Sequence, residues 1–512
     1  MELINTGFLS ILPPVIAIGL ALITKEVISS LVIGVLSGSI IYAASVGGGL
    51  GTVLDGAFFA LTNRFDTHLI LFLAILGALV AVIGMAGGSK AYGDWAASKI
   101  KGRTGAQLAT SALGVLIFID DYFNCLTVGA VMKPVTDKFN ISRAKLAYII
   151  DATAAPVCII APISSWAGSV VSYMADTGMN GMTAFMQAIP YNLYAVLTIL
   201  MIIVLSITNL EFGPMAKFEE NAKNGDLFSN EEAAKESLKE VTESEVVGKG
   251  KVADLVVPIL FLIVACIAAM LYVGGYGAEG VTMFQAFGDT SATVALAYGA
   301  LVTIIFTFVL FISRRLVSFQ QFMDGVSKGV HSMVPAFIIL TLAWSMSTIC
   351  RDMIGTGEFV SNLVATSNVM PELIPACIFV VAAFLSFSMG TSWGTFGILI
   401  PIIIAICEAI GAQDLTIISL SATLAGSVFG DHCSPISDTT ILASTGAGCN
   451  HIDHVSSQIP YALTVAVCSF VGFLVAGFTR NVIITLVVAV ALLLIALKVL
   501  HSVSAKKLAK AN

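Results

Sequence analysis

CIIAPISSW at 158–166 and DHCSPISDTT at 431–440 carry the same Pro-Ile-Ser step, Pro162-Ile163-Ser164 and Pro435-Ile436-Ser437, in two distant parts of the chain. Each step stands where an apolar run breaks off. Upstream of the first, DDYFNCLTVGAVMKP (120–134) parallels GTSWGTFGILIP (390–401): a polar turn, then glycine, then an apolar run closed by proline. The flanking apolar spans pair as well, 67–87 with 334–350 and 186–207 with 459–479. The offset between partners stays at roughly 265–273 residues and shrinks to about 247 at its start, so an internal repeat organises the chain.

Composition says what surrounds that repeat. Of 512 residues, 57% are hydrophobic and only 11% charged, with a mean hydropathy of +0.95. Soluble proteins carry about 25% charged residues, and this chain has too few to cover a water-facing surface. Apolar runs near the ~20 residues that cross a bilayer recur throughout. They are read at 7–24, 27–46, 67–87, 105–119, 145–160, 186–207, 254–273, 292–313, 334–350, 376–389, 416–430, 459–479 and 481–500. Several are too short to cross alone, and each short run is followed by another broken by Gly, Pro, Ser or Thr. Paired short segments predict broken helices and re-entrant hairpins around a midplane site. The expected fold is an all-α polytopic membrane protein with two inverted-topology repeats. The first covers 1–207, with its broken region at 105–166. The second covers 254–479, broken at 376–446. A polar linker at 208–253 joins them, and an extra span with a basic tail occupies 480–512.

Lys and Arg in short loops set the expected orientation. Lys90, Lys99, Lys101 and Arg103 mark 88–104 as cytoplasmic; Arg314, Arg315 and Lys328 mark 314–331 likewise. The first loop follows the 67–87 span and the second precedes its partner at 334–350, so partner spans run in opposite directions. The same rule places the linker and the Lys506-Lys507-Lys510 tail inside a cell (inner or plasma) membrane and the N-terminus outside. The opening MELINTGFLSILPP lacks a basic n-region and reads as the start of the first span. Of the net charge of −7, most resides at Glu211–Asp254, expected to be a solvated linker that either forms a surface helix around Glu232–Glu240 or stays disordered. Nothing forms the basic stripe of a nucleic-acid binder. The nine cysteines form no CxxC pair and read as small buried hydrophobes; GVLSGS and GGGLGT read as close helix packing.

Ionisable groups at membrane depth are costly and mark function by default. Three clusters qualify. Asp120, Asp121 and Asn124 stand where one span ends. Asp151 and Thr153 lead into Ser164, Ser165 and Trp166. Asp431, His432, Ser434, Ser437, Asp438, Thr439 and Thr440 face the turn holding Thr391, Ser392, Trp393 and Thr395. Hydroxyls and freed carbonyls are hard donors that suit a dehydrated alkali cation, and a carboxylate adds the charge that selects one. A carboxylate taken out of water holds its proton more firmly, so one group can trade H⁺ for Na⁺, never holding both. Structural readings stand beside these. Asp120, Asp121 and Asp438 also suit helix capping, and Asp151 also suits an ion pair with Arg143 or Lys145. Asp431-His432 reads equally as a proton relay or a hydrogen-bonded pair, and Trp166 and Trp393 as packing or cargo contacts. Among His432, Cys433, His451 and His454, the last two expected in a surface loop, no HExxH or CxxC spacing signals a transition metal. No phosphate-binding loop signals ATP-driven pumping, and no enzyme chemistry is expected.

The stretches FIDDYFNCLTVGAVMKPVTDKFNISRAKLAYIIDATAAPVCIIAPISSW (118–166) and AGSVFGDHCSPISDTTILASTGAGCNHIDHVSSQIPYAL (425–463) resemble the two signature regions of the NhaC family of Na⁺/H⁺ antiporters, within the ion transporter superfamily. That resemblance implies scaffold and transport domains, a homodimer and elevator-type alternating access. It places coupling ions near Asp120, Asp121, Asn124, Ser164 and Ser165 in one half. In the other they fall near Thr391, Ser392, Asp431, Ser437, Asp438 and Thr439. It implies no cofactor beyond the coupling ions Na⁺ and H⁺. A Na⁺- or H⁺-coupled carrier of a small organic solute, an amino acid or a carboxylate as in malate/lactate exchange, is the alternative. Under it Trp166, Trp393, Thr395, His432, Ser434 and Thr440 would touch the solute.

Overall fold

A computed structural model describes residues 1–24, 26–63, 65–118, 120–162, 164–174, 179–228, 249–278, 280–365, 370–409 and 411–511. The first half contains α1 (Leu12–Thr24), α2 (Val27–Ser45), α3 (Leu50–Asn63), α4 (Thr67–Met85), α5 (Gly88–Lys99), α6 (Gly102–Leu116), α7 (Asp121–Lys138), α8 (Arg143–Cys158), α9 (Ser165–Tyr173), α10 (Gly181–Ala188) and α11 (Leu193–Thr208), then α12 (Gly213–Lys223). The second contains α13 (Ala253–Val273), α14 (Met283–Asp289), α15 (Ala292–Ser313), α16 (Phe319–Ser332), α17 (Val334–Thr348), α18 (Thr356–Ala365), α19 (Ile374–Met389), α20 (Ser392–Ala409), α21 (Thr416–Cys433), α22 (Asp438–Ala447), α23 (His451–Thr479) and α24 (Val482–Ala511). No strand occurs among the described residues, as expected where backbone must satisfy itself inside lipid. Nine helices among them are long and apolar enough to cross a membrane.

The packing is reciprocal. Where α2 lies on α17, α15 lies on α4; α3 meets α17 as α16 meets α4. Deeper in, α7 packs on α22 and α20 on α9, while α8 touches α23 as α21 touches α11. Each half therefore completes the other, as two repeats about a pseudo-two-fold do. Helices α3, α5 and α16 fall outside the expected spans because glycine and polar residues interrupt their apolar runs.

Two helices sit at the centre. Every residue of α8 is buried, and so are nearly all of α21. At about 1.5 Å per residue, α8 is roughly 24 Å long, short of a ~30 Å hydrocarbon core. Both therefore end inside the molecule. Gly129 of α7 and Gly446 of α22 make their crossing possible, since a Cβ on either would meet the other helix's backbone. Gly34 and Gly38 likewise seat α2 against Met346 and Ile349, whereas Gly47, Gly49 and Gly51 face open space.

Three expectations need correction here. Asp151 pairs with neither Arg143 nor Lys145. Arg143 at the start of α8 reaches across the connecting turn to Asp137 near the end of α7 (2.8 Å), and Lys145 is buried against Glu211 (2.7 Å). Second, the linker does not begin as a solvated strand. Glu211 accepts a bond from the Tyr461 hydroxyl, and Glu219 holds Arg103 (2.5 Å) and the Ser142 amide (2.9 Å). Buried Lys145 and the open N-terminus of α8 supply the reason: both need acidic partners. The expected helix around Glu232–Glu240 lies outside the described residues. Third, His451 and His454 open the long helix α23 rather than a surface loop, and His454 is fully buried.

Two expected outcomes follow from this packing. Gly129→Val should destabilise the protein by about 1–3 kcal/mol through overpacking, whereas Gly84→Ala, which meets nothing within 4 Å, should be near neutral; thermal unfolding in detergent compares them. Glu211→Gln leaves Lys145 charged and unpaired, at a cost of about 3–5 kcal/mol. A Tm for Glu211→Gln equal to wild type would show that the pair does not hold the linker.

Candidate functional site

Four helix interruptions meet in one place, and a side chain closes each. Between α6 and α7, Asp120 caps α7 by accepting from the Phe123 amide (3.0 Å). Asn124 turns back and donates through Nδ2 to the Gly114 and Ile117 carbonyls (2.6 and 2.9 Å) at the end of α6, and to the Thr153 carbonyl (3.2 Å) of α8. Between α8 and α9, the Ser164 hydroxyl donates to Cys158 and Ala161 (2.8 and 3.1 Å) and accepts from the Ala167 amide (3.1 Å). One side chain thus serves both broken ends. Between α21 and α22, Ser437 accepts from the Thr440 amide (3.4 Å), so Ser437 and not Asp438 is the cap. Between α19 and α20, Gly390 adopts φ +67°, and its missing Cβ admits Ile436 of the opposite break.

The carboxylates gather at this crossing. Asp121 is fully buried, and apart from the Trp166 indole beside it neither oxygen has a hydrogen-bond partner among the described residues. The Trp166 indole, Asp120, Asp431 and Asp438 surround it. Asp431 accepts from Ser392 (2.9 Å) through Oδ2 and leaves Oδ1 without a partner. Asp438 accepts from Tyr122 (2.5 Å) and from the Thr439 amide (2.9 Å). Thr439 and Ser437 hydroxyls lie 3.0 Å apart. Among the described residues no Lys, Arg or His pairs with Asp121, Asp431 or Asp438. Several carboxylates in a dry place cannot all stay ionised without a cation. Unpartnered oxygens of Asn124, Asp121 and Asp431, with Thr127 Oγ1, are hard donors of the kind that hold Na⁺.

Asp151 lies in a different setting. Gln458 donates to it (2.5 Å), Thr440 reaches it at 3.4 Å, and His454 and His432 stand 3.4 and 3.7 Å away. His432 is itself held by the Tyr194 hydroxyl (3.1 Å) and the Asp151 carbonyl (3.0 Å). The Asp431-His432 pair is therefore split, each side chain serving a separate cluster. Thr440, also 3.4 Å from the Asp431 carbonyl, connects the two.

The remaining candidates take less central places. Ser434 donates to Phe387 (2.8 Å), closing the end of α19, and Thr395 donates to Thr391 within α20. Trp166 packs edge-on to Phe396 and 5.1 Å from Trp393. The side chain of Ser165 lies outside the described residues. Tyr122, Thr127, Tyr194, His454 and Gln458 belong to the site and were not singled out from sequence. Polar groups at helical spacing beside an apolar run, as His454 and Gln458 are, were the available signal.

Broken helices whose ends meet around buried acids define a secondary transporter rather than an enzyme. A profile described as "Na+/H+ antiporter family" matches residues 157–478. A Haemophilus influenzae relative, called only "Uncharacterized protein", is 38% identical over 499 residues, 94% of this chain and 93% of its own. The chain belongs to the Na⁺/H⁺ antiporter family. Shorter matches join it to the Malate-2H(+)/Na(+)-lactate antiporter of Bacillus subtilis, 28% identical over 31% of this chain and 34% of that one. The Arginine/ornithine antiporter ArcD of Halobacterium salinarum is 30% identical over 31% and 32%.

Asn124→Leu keeps the volume but removes the donor to three buried carbonyls. A loss of about 1–3 kcal/mol is expected, read as a lower Tm in detergent; an unchanged Tm would contradict the capping role.

Proposed function

We propose that this multi-pass membrane protein exchanges Na⁺ for H⁺ across a cell membrane, using Asp120, Asp121, Asp431 and Asp438 as competing cation and proton holders. The observation that carries this reading is the buried Asp121 carboxylate, which among the described residues has no cationic partner, only the Trp166 indole and the neighbouring acids Asp120, Asp431 and Asp438. With Na⁺ bound, hydroxyl and amide oxygens share its charge; with Na⁺ gone, protons take its place. Ser164, Thr391, Ser392, Ser437 and Thr439 arrange the broken ends around it. Asp151, surrounded by His432, His454 and Gln458, orients α8 against α21 and α23.

The proposal extends to movement. The reciprocal packing of α7 on α22 and α9 on α20 supports alternating access in which the broken helices travel together against α1–α4 and α13–α17. Elevator-type motion and a homodimer belong to the same proposal, as do a cytoplasmic linker and C-terminus. The basic loops around α5 and α16 support that orientation.

Proteoliposomes test it. With an imposed pH gradient and no organic solute, added Na⁺ should dissipate the gradient, and Asp→Asn at 121, 431 or 438 should lower the rate at least ~10-fold and flatten its pH dependence. No response to Na⁺, or unchanged pH profiles in every Asp→Asn variant, would refute the assignment.

A further inference from the structure

Beside the carboxylate crossing lies a cavity of about 330 Å³ whose lining includes Asp120, Asp438, Arg351, Trp344, Thr391 and Trp393. A water molecule occupies about 30 Å³ in the liquid. The space therefore exceeds any need of a bare Na⁺ and reaches the lower bound of ligand pockets, roughly 300 Å³. Its walls combine indole faces and hydroxyls with one guanidinium.

Among the described residues that guanidinium, unlike the exposed Arg315, is unpaired although half-buried. Arg103, Arg143, Arg314 and Arg480 each pair with a carboxylate: Glu219, Asp137, Asp254 and Asp414. Arg351 makes no ion pair or hydrogen bond with the described residues, although Asp120 and Asp438 line the same cavity. The adjacent Asp352 accepts from Asn63 (3.2 Å) instead. Arg351 sits in a π-helical turn, Ile349–Met353, a rare distortion that is frequent at functional sites. It also lines a second cavity of about 630 Å³ with Leu3, Glu358 and Asn362, so it stands where the two spaces adjoin. Gly394, in the first turn of α20, keeps room beside it: a Cβ there would lie 3.8 Å from Arg351 Nη1. An unpaired guanidinium, half-buried and next to the N-terminal turn of an 18-residue helix, is a place for an anion.

We propose that Arg351 binds the carboxylate of a small organic cargo in this cavity, next to the cation held by the acidic cluster. The planar fork of the guanidinium matches a carboxylate with two parallel hydrogen bonds. Trp344 and Trp393 cover the carbon skeleton, and Thr290, Thr293 and Thr391 offer neutral hydroxyls. A cation at Asp120 and Asp438 lowers the negative charge facing the incoming anion, so cation and carboxylate favour each other's binding. This goes beyond cation exchange. Its failure would leave Na⁺/H⁺ exchange standing, and exchange that needs an added carboxylate would instead replace the solute-free reading.

Tryptophan fluorescence of purified full-length protein tests it, with L-malate and L-lactate as simple carboxylates, L-alanine as an amino-acid carboxylate and KCl as control. At least one carboxylate should bind saturably and more tightly with Na⁺ present. Arg351→Gln should weaken that binding about 10- to 100-fold, as loss of a charged hydrogen bond does, and Arg351→Lys should recover part of it. Saturation by malate or lactate alone assigns the simple acid, and by alanine the amino acid. No saturation by any of the three up to about 10 mM, or equal binding in Arg351→Gln, overturns the proposal. Should Arg351→Gln fail to fold, phenylglyoxal labelling of wild type decides: carboxylate that occupies the site protects Arg351, read by peptide mass, and unprotected labelling overturns it.

Discussion

Every feature of this site depends on one constraint: a helix that ends inside a membrane must have its free amides and carbonyls satisfied by something other than bulk water. Four helices end here, and the chain answers with Asn124 on α6, Ser164 on α8 and α9, Ser434 on α19 and Ser437 on α22. These caps fix where the ends point, and the ends point at one another. Gly129, Gly390 and Gly446 let the backbones approach. The acids at the crossing then share a small space with polar atoms, Asn124 Oδ1, Thr127 Oγ1 and Asp431 Oδ1, that have no hydrogen-bond partner among the described residues. A site for something charged is thus a consequence of how the broken helices are closed.

Charge is sorted within that space. Asp151 is surrounded by groups that stabilise a carboxylate, namely Gln458, His454 and His432. Lys145 and Glu211 neutralise each other under a roof of Tyr148 and Tyr461. Asp121, Asp431 and Asp438 form no ion pair among the described residues, although Arg351 lines the same cavity as Asp438. Buried pairs that are complete serve the fold, while an incomplete group of acids has to be completed by a mobile ion or a proton. This contrast, rather than burial, distinguishes the two groups of charges, since both are buried.

Much of this was legible in the sequence, and the failures have physical reasons. The Pro-Ile-Ser steps and the polar turns at 120–124 and 390–395 coincide with all four interruptions, because proline or glycine next to clustered hydroxyls at the end of a short apolar run favours a break. Asp121, Asp431 and Asp438 stand out in the sequence for a different reason, the cost of a carboxylate at membrane depth. The partners of Asp151 were missed because sequence nearness favoured Arg143 and Lys145, whereas helix direction carries both to Asp137 and Glu211. His454 reads as a loop residue from the polar run around it, whereas its helical spacing with Gln458 places both on α23. Arg351 escaped notice altogether: it lies at the end of an apolar span, where arginine ordinarily reaches for the interface, and only the fold sets it beside the acids.

Simultaneous calorimetric measurement of Na⁺ binding and proton release on the purified protein tests the central claim most directly. If the acids at the crossing hold either ion and never both, Na⁺ binding should expel protons into the buffer, with an apparent enthalpy that varies with the buffer's ionisation heat. Asp438→Asn and Asp121→Asn should reduce the number released. Na⁺ binding of undiminished affinity with no proton release, in buffers of widely different ionisation heat, would contradict the account.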